Sequence, residues 1–388
     1  MELIKVVVFA CAFVVGVDFA ILGSVKLRLA KMLDIDDAKV GSLISALMFS
    51  SMVGVLVTGP IMDNVGYMPV ASIGFVLAGI SLWILAFSPS YKAAFIACIL
   101  LGLGTACVSV TGAALAPKVL FDGKASAAQN LFNVFFGLGA FLTPLIAAQL
   151  VGRIGYKATV SVIGTVCFIP VVAAVASQYP EAGAEYNVRT LIGLFGNAAV
   201  WVAGAALFCY CGLEATMGGF ITTYLQDLDI NESRAGMVLS GFWISLMIAR
   251  LVAAYGLSEV PTLSAPTILG LAILTIVAIA IMIMTESKVL GCVGAIIVGL
   301  AFGPIFPTLV GVAFTKTAAS ARDIGGSVYG LIFALGMLGS TIIPLVVGRY
   351  SAKVSIRKSL QITLVVAAAL TVFSAVLWLA VPAVQVSG

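Results

Sequence analysis

The chain has 388 residues, 62% hydrophobic and 9% charged, with 20 Lys+Arg, 16 Asp+Glu and no His. Soluble domains carry about 25% charged residues, so a water-exposed globule is excluded, and a net charge of +4 is too small to point to nucleic acid. The usual general base and commonest metal ligand are missing with His, and phosphate-loop, zinc and nucleophile-elbow patterns are absent, so neither an enzyme nor a cofactor is expected.

A helix needs about 20 apolar residues to cross the hydrocarbon, and twelve such stretches nearly fill the chain. The first is expected at about 4–25 and retained, because the following LGSVKLRLAKMLD lacks a small-residue cleavage site. The next five are expected at about 40–59, 69–87, 93–116, 127–151 and 157–177. Pro60 should stop the second, Pro69 should sit in the first turn of the third, and Ser88-Pro89-Ser90 should separate the third from the fourth. The longest polar interruption, SQYPEAGAEYNVRT, then divides six helices from six. It predicts an N-terminal bundle over 1–176, a cytoplasmic linker over 177–191 and a C-terminal bundle over 192–388. Helices 7 to 12 follow at about 192–224, 235–256, 266–285, 289–313, 325–348 and 359–382, with Asn231 capping the eighth. Nearly all seven Cys fall within these apolar stretches, as small hydrophobes.

An internal repeat supports the division. Helix 5 reads GLGAFLTPLIAAQLVGR and helix 11 reads ALGMLGSTIIPLVVGR. Gly139 and Pro144 recur as Gly339 and Pro344 at one offset of 200, and Gly152-Arg153 recurs as Gly348-Arg349. Parallel six-helix halves are a transporter architecture with a solute site near mid-membrane. The alternative is the ordinary abundance of Gly and Pro in membrane helices.

Residues 45–70, SALMFSSMVGVLVTGPIMDNVGYMPV, resemble the helix 2–3 signature of the major facilitator superfamily, Gly-x-x-x-Asp-Arg-x-Gly-Arg. Gly59, Asp63 and Gly66 match it, while Asn64 and Tyr67 stand at the arginine positions. The resemblance implies an all-α membrane protein of twelve transmembrane helices in two pseudo-symmetric bundles. It leaves Asp63 as a helix cap or interdomain latch. SAAQNLFNVFFGLGAFLTPL, FGPIFPTLVGVAF and GGSVYGLIFALGMLGSTIIPL resemble the fucose-permease-like sugar–proton symporters, which implies uptake of a neutral hexose with protons. The family's cytoplasmic Asp63 loop implies that both termini are cytoplasmic. That orientation places thirteen basic residues outside and seven inside, the reverse of the positive-inside bias.

Ionisable residues inside a membrane are costly and mark function by default. Two carboxylates fall within spans, Asp18 in helix 1 and Glu214 in helix 7. A carboxyl group in a low dielectric can take up and return a proton near neutral pH, which proton coupling requires. Asp18 is the expected coupling group, open to a cavity between helices 1, 4, 7 and 10, with Glu214 second. Structural hydrogen bonding is the alternative for both. Gly212, Gly218 and Gly219 suggest a broken helix 7 acting as an outer gate, or close packing through small residues. Asn130 and Asn133 share a helix face and could bind solute hydroxyls or glue helices. Phe136, Trp201, Tyr210, Trp243 and Tyr329 could stack on a sugar ring. Arg250 is expected to snorkel or pair at the cytoplasmic face.

These residues point to proton-coupled uptake of a small polar solute, such as a sugar, by a monomeric carrier in the lipid bilayer. The rivals are an organic-anion carrier using Lys26 and Arg28 at a basic outer mouth, an exporter of amphipathic compounds or lipids, and a non-transporting sensor on the same fold.

Overall fold

The computed structural model describes residues 2–180, 188–321, 324–351 and 353–379. Hydrocarbon offers no partner to backbone N–H and C=O groups, so a spanning chain pairs them within its own helices. Fourteen α-helices and two short 3-10 turns follow among the described residues, with no strand. They are α1 (Glu2–Leu33), α2 (Asp37–Val65), α3 (Tyr67–Ala86), α4 (Tyr91–Val119), α5 (Ala125–Phe168), α6 (Val171–Ala176) and α7 (Val188–Phe195). After them come α8 (Ala198–Asp227), α9 (Glu232–Glu259), α10 (Ser264–Met284), α11 (Lys288–Ala321), α12 (Gly325–Ser351), α13 (Ile356–Ser359) and α14 (Gln361–Leu379).

Eleven helical stretches among the described residues are long and apolar enough to cross a membrane. One of them, Ala125–Ala176, has 52 residues, more than twice the length a crossing needs. Gly155 breaks it with φ 79°, a left-handed conformation that glycine adopts without a Cβ clash. Two crossings therefore lie in this stretch, which makes twelve.

Caps follow the local chemistry. Asp36, Ser90, Asn197 and Asn231 each accept a bond from a backbone N–H in the first turn of the helix they precede. Asn231 and Ser90 start their helices where the polar residues predict. Pro60, in contrast, does not stop α2. The helix runs on to Val65 and ends at Gly66, φ 89°. A proline loses only one helical bond, whereas left-handed backbone at Gly66 turns the chain. Helix 1 also continues beyond its apolar stretch, so Lys26 and Arg28 sit exposed on α1.

Residues 181–187 of the expected linker lie outside the described residues. Its last residues, with Ile192–Phe195, form α7 rather than the start of the next span, and Asn197 starts α8. The break expected at Gly212, Gly218 and Gly219 does not form: α8 is helical throughout. Gly212 is instead the gap into which Ile343 of α12 fits, and Gly218 faces the Trp243 ring. Small residues serve packing here, which is how helices associate when lipid removes the hydrophobic drive.

The chain forms two compact units. One comprises Met1–Gly123, Phe132–Leu191 and Arg322–Gly330; the other comprises Lys124–Leu131, Ile192–Ala321 and Leu331–Gly388. In the first, α4 is the hub against α1, α2 and α3. Its Gly102 meets the Leu47 carbonyl and Ser50 of α2, and Gly104 meets Ala78 and Gly74 of α3. In the second, α11 holds the same place against α8, α9 and α10, with Gly299 on Phe242 and Ser245 and Gly303 on the Leu246 carbonyl.

The sequence repeat is a packing repeat. A Cβ on Gly139 of α5 would overlap the Phe13 carbonyl of α1, and one on Gly339 of α12 would overlap the Phe208 carbonyl of α8. Gly139→Ala and Gly339→Ala are expected to destabilise the protein by about 1–3 kcal/mol each through overpacking. Gly219→Ala, which meets open space, is expected to be neutral or mildly stabilising. Thermal unfolding in detergent distinguishes these outcomes.

Candidate functional site

Asp18 lies on α1 and is completely buried. Its Oδ2 accepts from Thr105 Oγ1 of α4 at 2.8 Å, and its Oδ1 is buried without a hydrogen-bond partner among the described residues. Thr105 Oγ1 also reaches the Leu101 carbonyl at 2.8 Å. The expectation that Asp18 opens into a cavity is therefore corrected: it is sealed against α4 within its own unit. The reason is the hydroxyl of Thr105, a local partner that the small-residue hub brings within reach.

Glu214 sits one turn after Tyr210 on α8, and the Tyr210 hydroxyl donates to its Oε1 at 3.0 Å. Arg250 Nη2 of α9 lies 3.3 Å from the same oxygen. The Arg250 side chain is 4% exposed and that of Glu214 is 23% exposed, so the acid is the more accessible of the two. Arg250 does not snorkel to the cytoplasmic face. It lies well inside α9, and its Nε donates to the Gly303 carbonyl of α11 at 3.0 Å. Gly303 lies four residues before Pro307 within α11. Proline has no N–H to donate back, so this carbonyl is left for the guanidinium. The signal that could have found the site was that proline spacing, read together with an arginine in an apolar stretch.

Rings cluster around Tyr210. Tyr210 packs 5.6 Å from Phe302 and 6.1 Å from Phe306, and Phe306 packs 5.8 Å from Phe333. Phe242 links Phe302 to Trp243. All of these residues belong to the second unit.

The remaining expected site residues are not gathered here. Asn130 Nδ2 donates to the Ser126 carbonyl and to Thr308 Oγ1, both at 2.9 Å, so its donors hold helices together. Asn133 is buried and falls in the other unit. Phe136 packs edge-on to Phe19, and Tyr329 shares a hydrogen bond of 3.0 Å with Ser109. Trp201 Nε1 donates to the Phe195 carbonyl at 2.7 Å and braces α7 on α8.

Asp63 caps a helix far away in sequence. It accepts from Gly326 N at 3.0 Å, Ser327 N at 2.8 Å and Ser327 Oγ at 2.6 Å, at the start of α12. Residues Arg322–Gly330 belong to the same compact unit as Asp63. An anion at a helix N-terminus satisfies otherwise unpaired N–H groups and the positive end of the dipole. Gly59 and Gly326 lie so close that a Cβ on Gly59 would overlap the Gly326 carbonyl.

Residues 8–336 match the Major Facilitator Superfamily. The chain belongs to that family. It is thus an integral, multi-pass membrane protein. Protein TsgA of Salmonella typhi is 26% identical over 179 residues, 45% of this chain and 45% of the relative. The chain thus spans about half the length of the curated relatives it matches first. A TsgA homolog of Yersinia pestis is 22% identical over 62% of this chain and 61% of its own length. Among solved structures, the E. coli fucose:proton symporter FucP superposes with a TM-score of 0.79 at 14% identity, over 96% of this chain and 98% of FucP. The human organic anion transporter MFSD10 gives 0.76 at 15% identity, over 96% and 99%. At these identities the likeness is one of fold.

Asp63→Ala removes every acceptor from the start of α12 and is expected to cost about 2 kcal/mol or more. Asp63→Asn keeps one acceptor oxygen and is expected to cost clearly less. Unfolding curves of the two variants in detergent check the order.

Proposed function

We propose that this protein is a proton-coupled carrier of a small polar solute, working by alternating access, with Glu214 as the group that exchanges the proton. The observation that carries the reading is the difference between its two intramembrane carboxyl groups. Asp18 is sealed and bonded to a neutral hydroxyl, whereas Glu214 is part-exposed and paired with a cation. A group that charges and discharges during a cycle needs access to water and a partner that stabilises its charged form. Asp18 meets neither condition, so the coupling role moves from it to Glu214.

The test is uptake into proteoliposomes under a pH gradient, screened over labelled sugars, carboxylates and amphiphiles. One class is expected to accumulate and to be released by a protonophore. Glu214→Gln is expected to abolish accumulation while keeping solute counterflow, because exchange needs binding and rocking but no change of charge. Asp18→Asn is expected to keep both activities. Full accumulation by the Glu214→Gln protein would overturn the coupling role, and absence of counterflow for every solute would favour a sensor.

Twelve crossings place both termini on one side, and we propose that this side is the cytoplasm. A single Cys introduced at position 35 in a Cys-free background is expected to react with an impermeant reagent added from outside. Labelling only from inside would invert the topology.

A further inference from the structure

The sequence repeat carries charge as well as glycine. Gly152-Arg153 and Lys157 recur as Gly348-Arg349 and Lys353 at one offset of 196. All four basic side chains are exposed. In each copy the helix is interrupted between the arginine and the lysine. Gly155 breaks α5 at φ 79°, and α12 ends at Ser351. A cation near a helix C-terminus answers the dipole, but the fold does not demand one, because α8 ends with no basic residue in its last turn. The first turn lies in the first unit and the second turn in the second. Each follows an odd-numbered crossing, so both turns emerge on the membrane face opposite the termini.

Neither turn carries enough charge of its own to answer these cations. Arg153, Lys157, Arg349, Lys353 and Lys358 form no ion pair among the described residues. Arg357, beside Lys358 on α13, lies 3.9 Å from Glu286, whose side chain is 91% exposed, so that pair is weak. The Arg357 Nε is buried without a hydrogen-bond partner among the described residues. Exposed rings stand beside the charges. Lys157 Nζ lies 5.9 Å from the centre of the Phe87 ring, and Tyr350 follows Arg349 directly. Both rings are exposed. A basic head next to an exposed ring suits the level of lipid headgroups, where the stem and ring meet hydrocarbon and the charge meets the interface.

We propose that the two turns are a repeated pair of sites for the headgroup phosphate of an anionic phospholipid, in the leaflet opposite the termini. A guanidinium matches two phosphate oxygens at once and an ammonium adds a point charge beside them, so the arginine and lysine of each turn hold one phosphodiester. Arg357 and Lys358 enlarge the second site. The occupant is a lipid and not a soluble phosphate, because the exposed rings in the same turns meet acyl chains while the charges meet the headgroup. Basic clusters directly beside a membrane crossing are drawn to anionic lipid for the same reason. The sites also account for the reversed charge bias. Arg153, Lys157, Arg349, Lys353, Arg357 and Lys358 are six of the thirteen basic residues on that face, and their counter-charge is the lipid. Nothing in this arrangement depends on the solute or on its coupling to protons.

Native mass spectrometry of the full-length protein in mild detergent tests the sites. The protein is offered equal amounts of phosphatidylglycerol and phosphatidylcholine with the same acyl chains. Both lipids carry the phosphate, but choline cancels its charge. Wild type is expected to retain two phosphatidylglycerol molecules in preference to phosphatidylcholine. Arg153→Gln/Lys157→Gln is expected to lose one of them, and Arg349→Gln/Lys353→Gln/Lys358→Gln the other. The two sets combined are expected to lose both. Every substituted side chain is exposed, so the variants are expected to fold, and thermal unfolding in phosphatidylcholine alone checks this. Lys26→Gln/Arg28→Gln removes exposed positive charge near the end of α1 and is expected to keep both lipids. Equal retention of the two lipids by wild type, or full retention of phosphatidylglycerol by the combined variant, would overturn the sites. An equal loss in the Lys26→Gln/Arg28→Gln protein would reduce them to general surface charge and overturn them too. Thermal stabilisation by glycerol phosphate as large as that by phosphatidylglycerol would make the ligand a soluble phosphate and overturn the lipid assignment.

Discussion

Every polar group in this chain must find its partner inside the protein, because the hydrocarbon around it offers none. Backbone groups meet that demand by forming helices, and the rest of the structure follows from the exceptions. Where proline removes an N–H, as at Pro307, the carbonyl one turn earlier becomes an acceptor that a side chain can use. Arg250 uses it. Where α12 begins, the first N–H groups lack helical partners, and Asp63 takes them. The polar features of the molecule thus sit where helical bonding is incomplete.

The second consequence of the bilayer is that apolar surface alone does not draw helices together. Contacts come from small residues that let backbones touch, and α4 and α11 carry most of them. Gly102 and Gly299 occupy corresponding places against α2 and α9, and Gly139 and Gly339 against the Phe13 and Phe208 carbonyls. A repeat kept in its glycines is a repeat kept in its helix crossings. Against that common frame the carboxyl groups Asp18 and Glu214 diverge. One is closed off by a threonine on the hub helix, and the other meets an arginine from the neighbouring helix. The same frame therefore holds one acid bonded to a hydroxyl and one paired with a guanidinium, and the difference lies in the partner each meets.

Much of this was legible in the residues. Twelve crossings follow from composition and spacing, because a hydrocarbon core of fixed thickness demands apolar stretches of fixed length, and short motifs carried the glycine repeat and the family resemblance. The isolated carboxylates stood out for the same reason, since a charge in such a stretch has no other explanation than a partner or a function. What the residues did not disclose was rotation about each helix axis. These helices are apolar on nearly every side, so periodicity does not separate the face toward lipid from the face toward protein. Asn130 and Trp201 were both candidates to meet a solute, and only packing assigns one to Thr308 and the other to the Phe195 carbonyl.

The sequence by itself determined the helices, their number and the presence of Asp18, Asp63, Glu214 and Arg250 within or beside them. Tertiary structure alone decided their partners. Thr105 lies 87 residues from Asp18, Arg250 lies 36 from Glu214, and Ser327 lies 264 from Asp63. Hydropathy reports only how long a segment can remain in lipid. A hydrogen bond depends on distance and direction to within a fraction of an ångström, and those are set only when the small residues of neighbouring helices bring two backbones together.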